Sequence, residues 1–98
     1  MAEQDLENAG DYIVHGLKNL TAARDTVKGI RAQIDALSLF PERNELDEDE
    51  LLAGLGVRKE YYRNYKIYYI IDADTIYIVR IFHMLVDSKA WLYRTFGL

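Results

Sequence analysis

His83 and the basic residues of the same half of the chain are the side chains of this 98-residue sequence best suited to chemistry. His83 closes a segment rich in isoleucine and tyrosine, and a histidine there can act as a general acid or base on a phosphodiester. Lysine and arginine side chains can stabilise the charge that develops in such a reaction. The candidate cations are Arg58, Lys59, Arg63, Lys66 and Arg80.

The same residues also have a structural interpretation, in which His83 packs at a strand end and the cations solvate a sheet. Composition alone favours this interpretation. His15, the other histidine, ends an amphipathic segment and is expected at the surface. Because the sequence has no glycine-rich phosphate loop and no metal-spaced histidine or cysteine set, we expect neither a cofactor nor a metal.

Composition and charge narrow the class of protein. The chain has no cysteine, which excludes disulfides and thiolate metal sites and suits a reducing cytoplasm. Its N-terminus is acidic and lacks an apolar signal region, and its apolar runs are too short to span a bilayer, so we expect a cytoplasmic protein without a membrane partner. Residues 1–50 hold 5 basic and 12 acidic side chains, whereas residues 51–98 hold 7 and 4. The C-terminal half can therefore present a local anion-binding face.

Hydrophobic spacing predicts two helices in the acidic half, over about residues 2–15 and 20–40. The second carries an apolar stripe and ends before Pro41. The short connection predicts an antiparallel helical hairpin, which we expect to cover the following strands rather than to pair with another chain. Residues 42–56 are predicted to be a loop, and the five acids between Glu45 and Glu50 to be solvated.

From Val57 the composition becomes typical of strands, with six of the eight tyrosines between Tyr61 and Tyr77. Strands are predicted over about residues 57–63, 65–72 and 75–83, and a short C-terminal helix over about residues 88–96. Both faces of the sheet are apolar, so either another element covers the second face or that face is a binding groove. The predicted fold is α+β: one domain over residues 1–98, with the hairpin on one face of a small antiparallel sheet.

Several motifs, in this order, resemble toxins of the RelE/ParE superfamily over about residues 2–90. They are Leu-x-x-Phe-Pro-Glu-Arg at Leu37 to Arg43, Gly-Val-Arg at Gly56 to Arg58, Asn-Tyr-Lys-Ile-Tyr-Tyr at Asn64 to Tyr69, and the segment from Thr75 to His83. The resemblance implies a toxin of a bacterial type II toxin–antitoxin module that a cognate antitoxin neutralises. RelE-like members cleave messenger RNA on the ribosome, whereas ParE-like members inhibit DNA gyrase without nuclease chemistry.

The residue transfer implies catalytic roles for His83, Lys66 and Arg58, with Lys59 beside Arg58. We predict RNA-binding roles for Lys59 and for the two other cations of this half, Arg63 and Arg80. Lys66 stands where the family has arginine, which keeps the charge but loses the bidentate fork. Leu85 and Val86 stand where two arginines usually follow the histidine.

Three hypotheses follow, led by a ribosome-dependent endoribonuclease that acts on messenger RNA. The others are a gyrase inhibitor and an inactive or truncated relative that only binds antitoxin. Members usually begin with a strand before the first helix, and this sequence starts within that helix, so it is either truncated or from a branch without the strand. A homodimer and a hetero-oligomer with the antitoxin both stay open.

Overall fold

The computed structural model describes residues 20–98, so the first predicted helix, and with it the predicted hairpin, lies outside the described residues. Within residues 20–98, three helices and three strands follow one another in the order α1 (Leu20–Leu37), α2 (Glu50–Gly54), β1 (Val57–Tyr62), β2 (Tyr65–Asp72), β3 (Thr75–His83) and α3 (Ser88–Phe96). The strands form an antiparallel sheet in the order β1-β2-β3. The predicted α+β class, the sheet and the C-terminal helix are confirmed for this part of the chain. None of its helices combines the length and apolar character needed to cross a bilayer.

Helix α1 ends at Leu37, three residues before its predicted end. The Ser38 hydroxyl donates to the Asp35 carbonyl at 2.7 Å, which competes with continuation of the helix. Pro41 also disfavours helical backbone at Phe40, the residue before it. The chain therefore leaves the helix early, and Leu39 and Phe40 are left 73% and 70% exposed.

The prediction of a loop over residues 42–56 was partly wrong, because this segment contains the short helix α2. Asp49 is the N-cap: its carboxylate accepts hydrogen bonds from the backbone N–H groups of Leu51 and Leu52 at 3.0 and 3.1 Å. Leu52 is buried, and this apolar contact gives so short a helix a reason to form.

A β-bulge in β3 changes which residues share a face of the sheet. Asp72 pairs with Thr75 across the two-residue turn, but Tyr68 pairs with Arg80 and Tyr69 with Ile78, so Val79 has no partner. Beyond this extra residue the alternation of β3 is reversed relative to β2. Without the bulge, His83 would lie on the face of the even-numbered residues of β2. With it, His83 pairs with Tyr65 and lies on the opposite face.

Helix α1 covers one face of the sheet and forms the first core. Ile30 of the helix packs against three buried sheet residues, Tyr65, Ile67 and Ile81. Gly29 permits a close approach of the helix, because a Cβ atom at this position would overlap the ring of Tyr62.

The second face of the sheet is covered by α2 and α3, which answers the question that the doubly apolar strands raise. Leu52 of α2 and Leu92 of α3 are each 1% exposed and pack on three buried sheet residues, Val57, Tyr68 and Phe82. This face is therefore a second core and not an open groove. A turn directly after His83 connects β3 to α3 and lets α3 fold back across this face of the sheet.

Candidate functional site

The six candidate residues are divided between the two faces of the sheet. His83 and Arg58 lie on the α1 face, where they pair with Tyr65 and Tyr69 of β2. The α3 face carries Lys59, Lys66 and Arg80. Arg63 lies in the β1–β2 turn, exposed and with a positive φ of 50°.

His83 is held by local contacts at the end of β3. Its ring meets Tyr65 edge-on, with 5.5 Å between ring centroids. Its Nδ1 atom accepts a hydrogen bond from the Leu85 backbone N–H at 3.2 Å, and within residues 20–98 no hydrogen bond to Nε2 is present. These contacts orient the imidazole on the α1 face.

Arg58 has a structural partner far from His83. Its guanidinium donates to the Asn44 carbonyl and so fixes the loop after α1 to β1. Arg58 pairs with Tyr69, four residues along β2 from the partner of His83. At about 3.3 Å per residue, the two positions differ by about 13 Å along the strand direction, in addition to two strand spacings.

Lys66 is the most buried cation of the candidate set. It is 9% exposed, and its Nζ atom donates to the Val86 carbonyl at 3.1 Å. Burial lowers the pKa of Lys66, and the nearby charge of Lys59 lowers it further. Asp87 and Asp47 act in the opposite direction. The ammonium group is thus tied to the turn that leads into α3.

Lys59, Tyr61, Lys66 and Tyr68 form what we call the lysine–tyrosine cluster. The Lys59 Nζ atom lies 5.4 Å from the ring centroid of Tyr61 and 6.0 Å from that of Tyr68. Burial acts to lower the pKa of Lys59, but its interactions with the two tyrosines and Asp47 raise it overall. Burial also raises the pKa of Tyr68, which keeps its hydroxyl protonated. The cluster can attract an anionic group, but His83 lies on the other side of the sheet.

Of the remaining cations, Arg80 lies opposite Tyr68 on the same face of the sheet, and Arg63 lies in the β1–β2 turn. The Arg80 guanidinium lies 4.7 Å from the ring centroid of Phe82 and 5.8 Å from that of Trp91, between β3 and α3. Arg63 lies 5.3 Å from the Tyr62 ring in its turn. All three contacts are of the kind that packs a guanidinium on an aromatic surface.

One charged network is absent from the sequence predictions and joins α2 to α3. The Asp49 carboxylate accepts a hydrogen bond from the Tyr93 hydroxyl at 2.7 Å. It also forms an ion pair with the Lys89 ammonium group at 2.9 Å. The hydrogen bond from Tyr93 lowers the pKa of Asp49 most, and the interaction with Lys89 lowers it further, from 3.8 to about 2 in all. In the sequence, Asp49 is recognisable as an N-cap because it precedes a short apolar run. No sequence pattern indicates that it contacts Lys89 and Tyr93, which lie far along the chain.

A second such network anchors the loop after α1. Arg43 forms a salt bridge with Glu60 of β1. The buried Tyr69 hydroxyl donates to the Pro41 carbonyl at 2.7 Å and accepts from the Asn44 amide at 3.1 Å. The Pro-Glu-Arg motif therefore fastens the loop to the sheet.

Comparison with protein-family models gives a match over residues 1–87 to the family described as the ParE toxin of the type II toxin–antitoxin system, parDE. Comparison with curated protein sequences gives no match. The matched region includes all three strands and ends just before α3.

Proposed function

The chain belongs to the ParE toxin family of type II toxin–antitoxin systems, and from this premise we propose that it inhibits DNA gyrase by binding, without cleaving RNA. Membership of the family implies an antitoxin partner that holds the toxin inactive. The choice of gyrase over the ribosome is supported by the arrangement of the candidate catalytic residues.

The single observation that carries the proposal is the separation of His83 from Lys66 by the bulge at Val79. General acid–base catalysis requires the titrating group within hydrogen-bond reach of the reacting proton, with charge stabilisation nearby. His83 lies on the α1 face and Lys66 on the α3 face, so the two side chains do not approach a phosphodiester from the same side of the sheet. Arg58 is displaced along the sheet and donates to the Asn44 carbonyl.

The two positions that follow the histidine support the same conclusion. Leu85 is 88% exposed, and Val86 packs against the second core. Neither can neutralise a phosphate, whereas the RelE-like pattern places arginines there. In this turn the backbone makes the polar contact, because the Val86 carbonyl accepts a hydrogen bond from the Lys66 ammonium group.

The second candidate function, ribosome-dependent cleavage of messenger RNA, is favoured by the lysine–tyrosine cluster. Lys59 and Lys66 lie near each other on the α3 face of the sheet, and burial lowers the pKa of Lys66. A cluster of this kind is suited to a phosphate and to proton transfer. Cleavage would then use Lys59 and Lys66 with a tyrosine hydroxyl and leave His83 outside the reaction.

The test is induced expression of the chain, followed by transcriptome-wide mapping of messenger RNA ends and by a DNA-damage reporter. We expect growth arrest with an induced damage response and no codon-phased RNA ends. The variants His83→Ala and Lys66→Met should each arrest growth like the parent chain, provided that circular dichroism shows them folded. Codon-phased cleavage that is lost in either variant would contradict gyrase as the target.

A further inference from the structure

The end of the molecule formed by the C-terminus of α1 and the β2–β3 turn carries an apolar groove with an acidic rim. The groove has a volume of about 480 Å³. It is lined by the half-buried Ile34, Pro41, Ile71 and Ile76 and by the exposed Asp35 and Asp74. We refer to it as the isoleucine groove.

Exposed apolar residues continue the isoleucine groove across the surface. Pro41 also borders a second depression, which Leu39 and Phe40 line. These two side chains are 73% and 70% exposed, an unusual state for a leucine beside a phenylalanine. Contiguous exposed apolar surface of this kind marks a site of protein interaction.

The charge at the mouth of the groove specifies its occupant. Within residues 20–98, neither Asp35 nor Asp74 has a lysine or arginine within salt-bridge distance. Two carboxylates beside an apolar floor complement a helix that has apolar anchors at i, i+3 or i+4 and lysine or arginine on its flanks. The first 19 residues of the chain match this description poorly, since they contain four acids and one lysine.

We propose that the isoleucine groove, with Leu39 and Phe40, is the docking surface for a cationic amphipathic segment of the antitoxin. The proposal rests on the part of the proposed function that gives the toxin an antitoxin, and it is independent of the toxin's target. The apolar anchors of that segment lie against the cross-strand pair Ile71 and Ile76, and its basic flanks lie against Asp35 and Asp74. Phe40 packs on the outer side of the bound helix.

The first test uses a synthetic 15-residue helical peptide of leucine and lysine, and a matched peptide with glutamate at every lysine. Both are titrated into the ¹⁵N-labelled full chain and followed by NMR. We expect the amide signals of Ile71 and Ile76 to shift with the lysine peptide, and its affinity to exceed that of the glutamate peptide at least tenfold. Equal affinities, or an absence of shifts at these isoleucines, would overturn the proposal.

Matched charge variants distinguish binding in the isoleucine groove from a general attraction of the cationic peptide to an acidic protein. The double variant D35K/D74K should weaken binding of the lysine peptide at least tenfold. The control E45K/E48K makes the same charge change on the exposed acidic loop and should bind as the parent chain does. Phe40→Ala, at an exposed position that should not affect folding, should weaken binding about fivefold or more. An equal loss in D35K/D74K and E45K/E48K would overturn the proposal.

The cellular test coexpresses the toxin variants with the product of the reading frame beside the toxin gene. Toxicity without this antitoxin reports on the target, whereas rescue by it reports on docking. D35K/D74K should stay toxic and escape rescue, and E45K/E48K should be rescued. Full rescue of D35K/D74K would overturn the docking proposal and leave gyrase inhibition intact. If D35K/D74K is not toxic, the peptide titration alone decides.

Discussion

Replacement of Leu92 by alanine tests whether α3 holds the second face of the sheet closed. Leu92 is 1% exposed and belongs to the core cluster of Leu52, Val57, Tyr68 and Phe82. A buried leucine-to-alanine change costs about 2–5 kcal/mol of unfolding free energy. Because α3 is a short helix of nine residues that can settle into the cavity, we expect about 2–3 kcal/mol. For a domain of this size, that corresponds to a fall in Tm of roughly 10–20 °C.

The assay is urea denaturation followed by circular dichroism, with thermal melts in parallel. The control is Leu85→Ala, the same chemical change at a position that is 88% exposed. Leu85→Ala should stay within about 0.5 kcal/mol of the parent chain. A loss below about 1 kcal/mol for Leu92→Ala, with the m-value unchanged, would refute the packing of α3 on the sheet.

Three further predictions concern the contacts that fasten α1, α2 and the loop to the sheet. Tyr69→Phe should lower the unfolding free energy by about 1–2 kcal/mol in urea, because the half-buried Pro41 carbonyl and Asn44 amide each lose a hydrogen bond to the hydroxyl; an unchanged midpoint would contradict this. The pKa of Asp49 is lowered from 3.8 to about 2, so its interactions stabilise the fold above pH 3.8 and are lost as the pH falls towards 2. Melts of Asp49→Asn should therefore depend less on pH across this range than those of the parent chain, and parallel profiles would exclude the effect. Gly29→Ala should destabilise the chain by about 1–3 kcal/mol despite its better helix propensity, because the new methyl group displaces the Tyr62 ring; a higher Tm would contradict it.

The strands, α1 and α3 were predictable because their signals are local. The isoleucine- and tyrosine-rich runs gave β2 and β3 with their observed bounds, and the Ala73–Asp74 turn appeared where it was expected. Helix α2 was missed since it has only five residues and therefore no periodicity. Its N-cap, Asp49, is one of five acids in a run of six, which hides the signal.

The sequence supplies candidate residues for a site, but it does not supply their geometry. The sequence identifies His83 and Lys66 as the groups best suited to chemistry, and two-residue turns fix the register of the strands near each turn. The bulge at Val79 then moves His83 to the opposite face, and no glycine marks it. The coverage of the second face depends on contacts such as that between Asp49 and Tyr93, which are long-range and leave no pattern in the sequence.

The most direct measurement of the toxin's target is a DNA supercoiling assay with purified gyrase and the purified full chain. Relaxed plasmid, ATP and gyrase are incubated with increasing toxin, and messenger RNA bound to ribosomes is incubated with the same preparation in parallel. We predict loss of supercoiling, or accumulation of cleaved DNA–gyrase complexes, at toxin concentrations that leave the RNA intact, and the same result with His83→Ala. Unaffected supercoiling together with codon-phased cleavage of the ribosome-bound RNA would contradict gyrase inhibition.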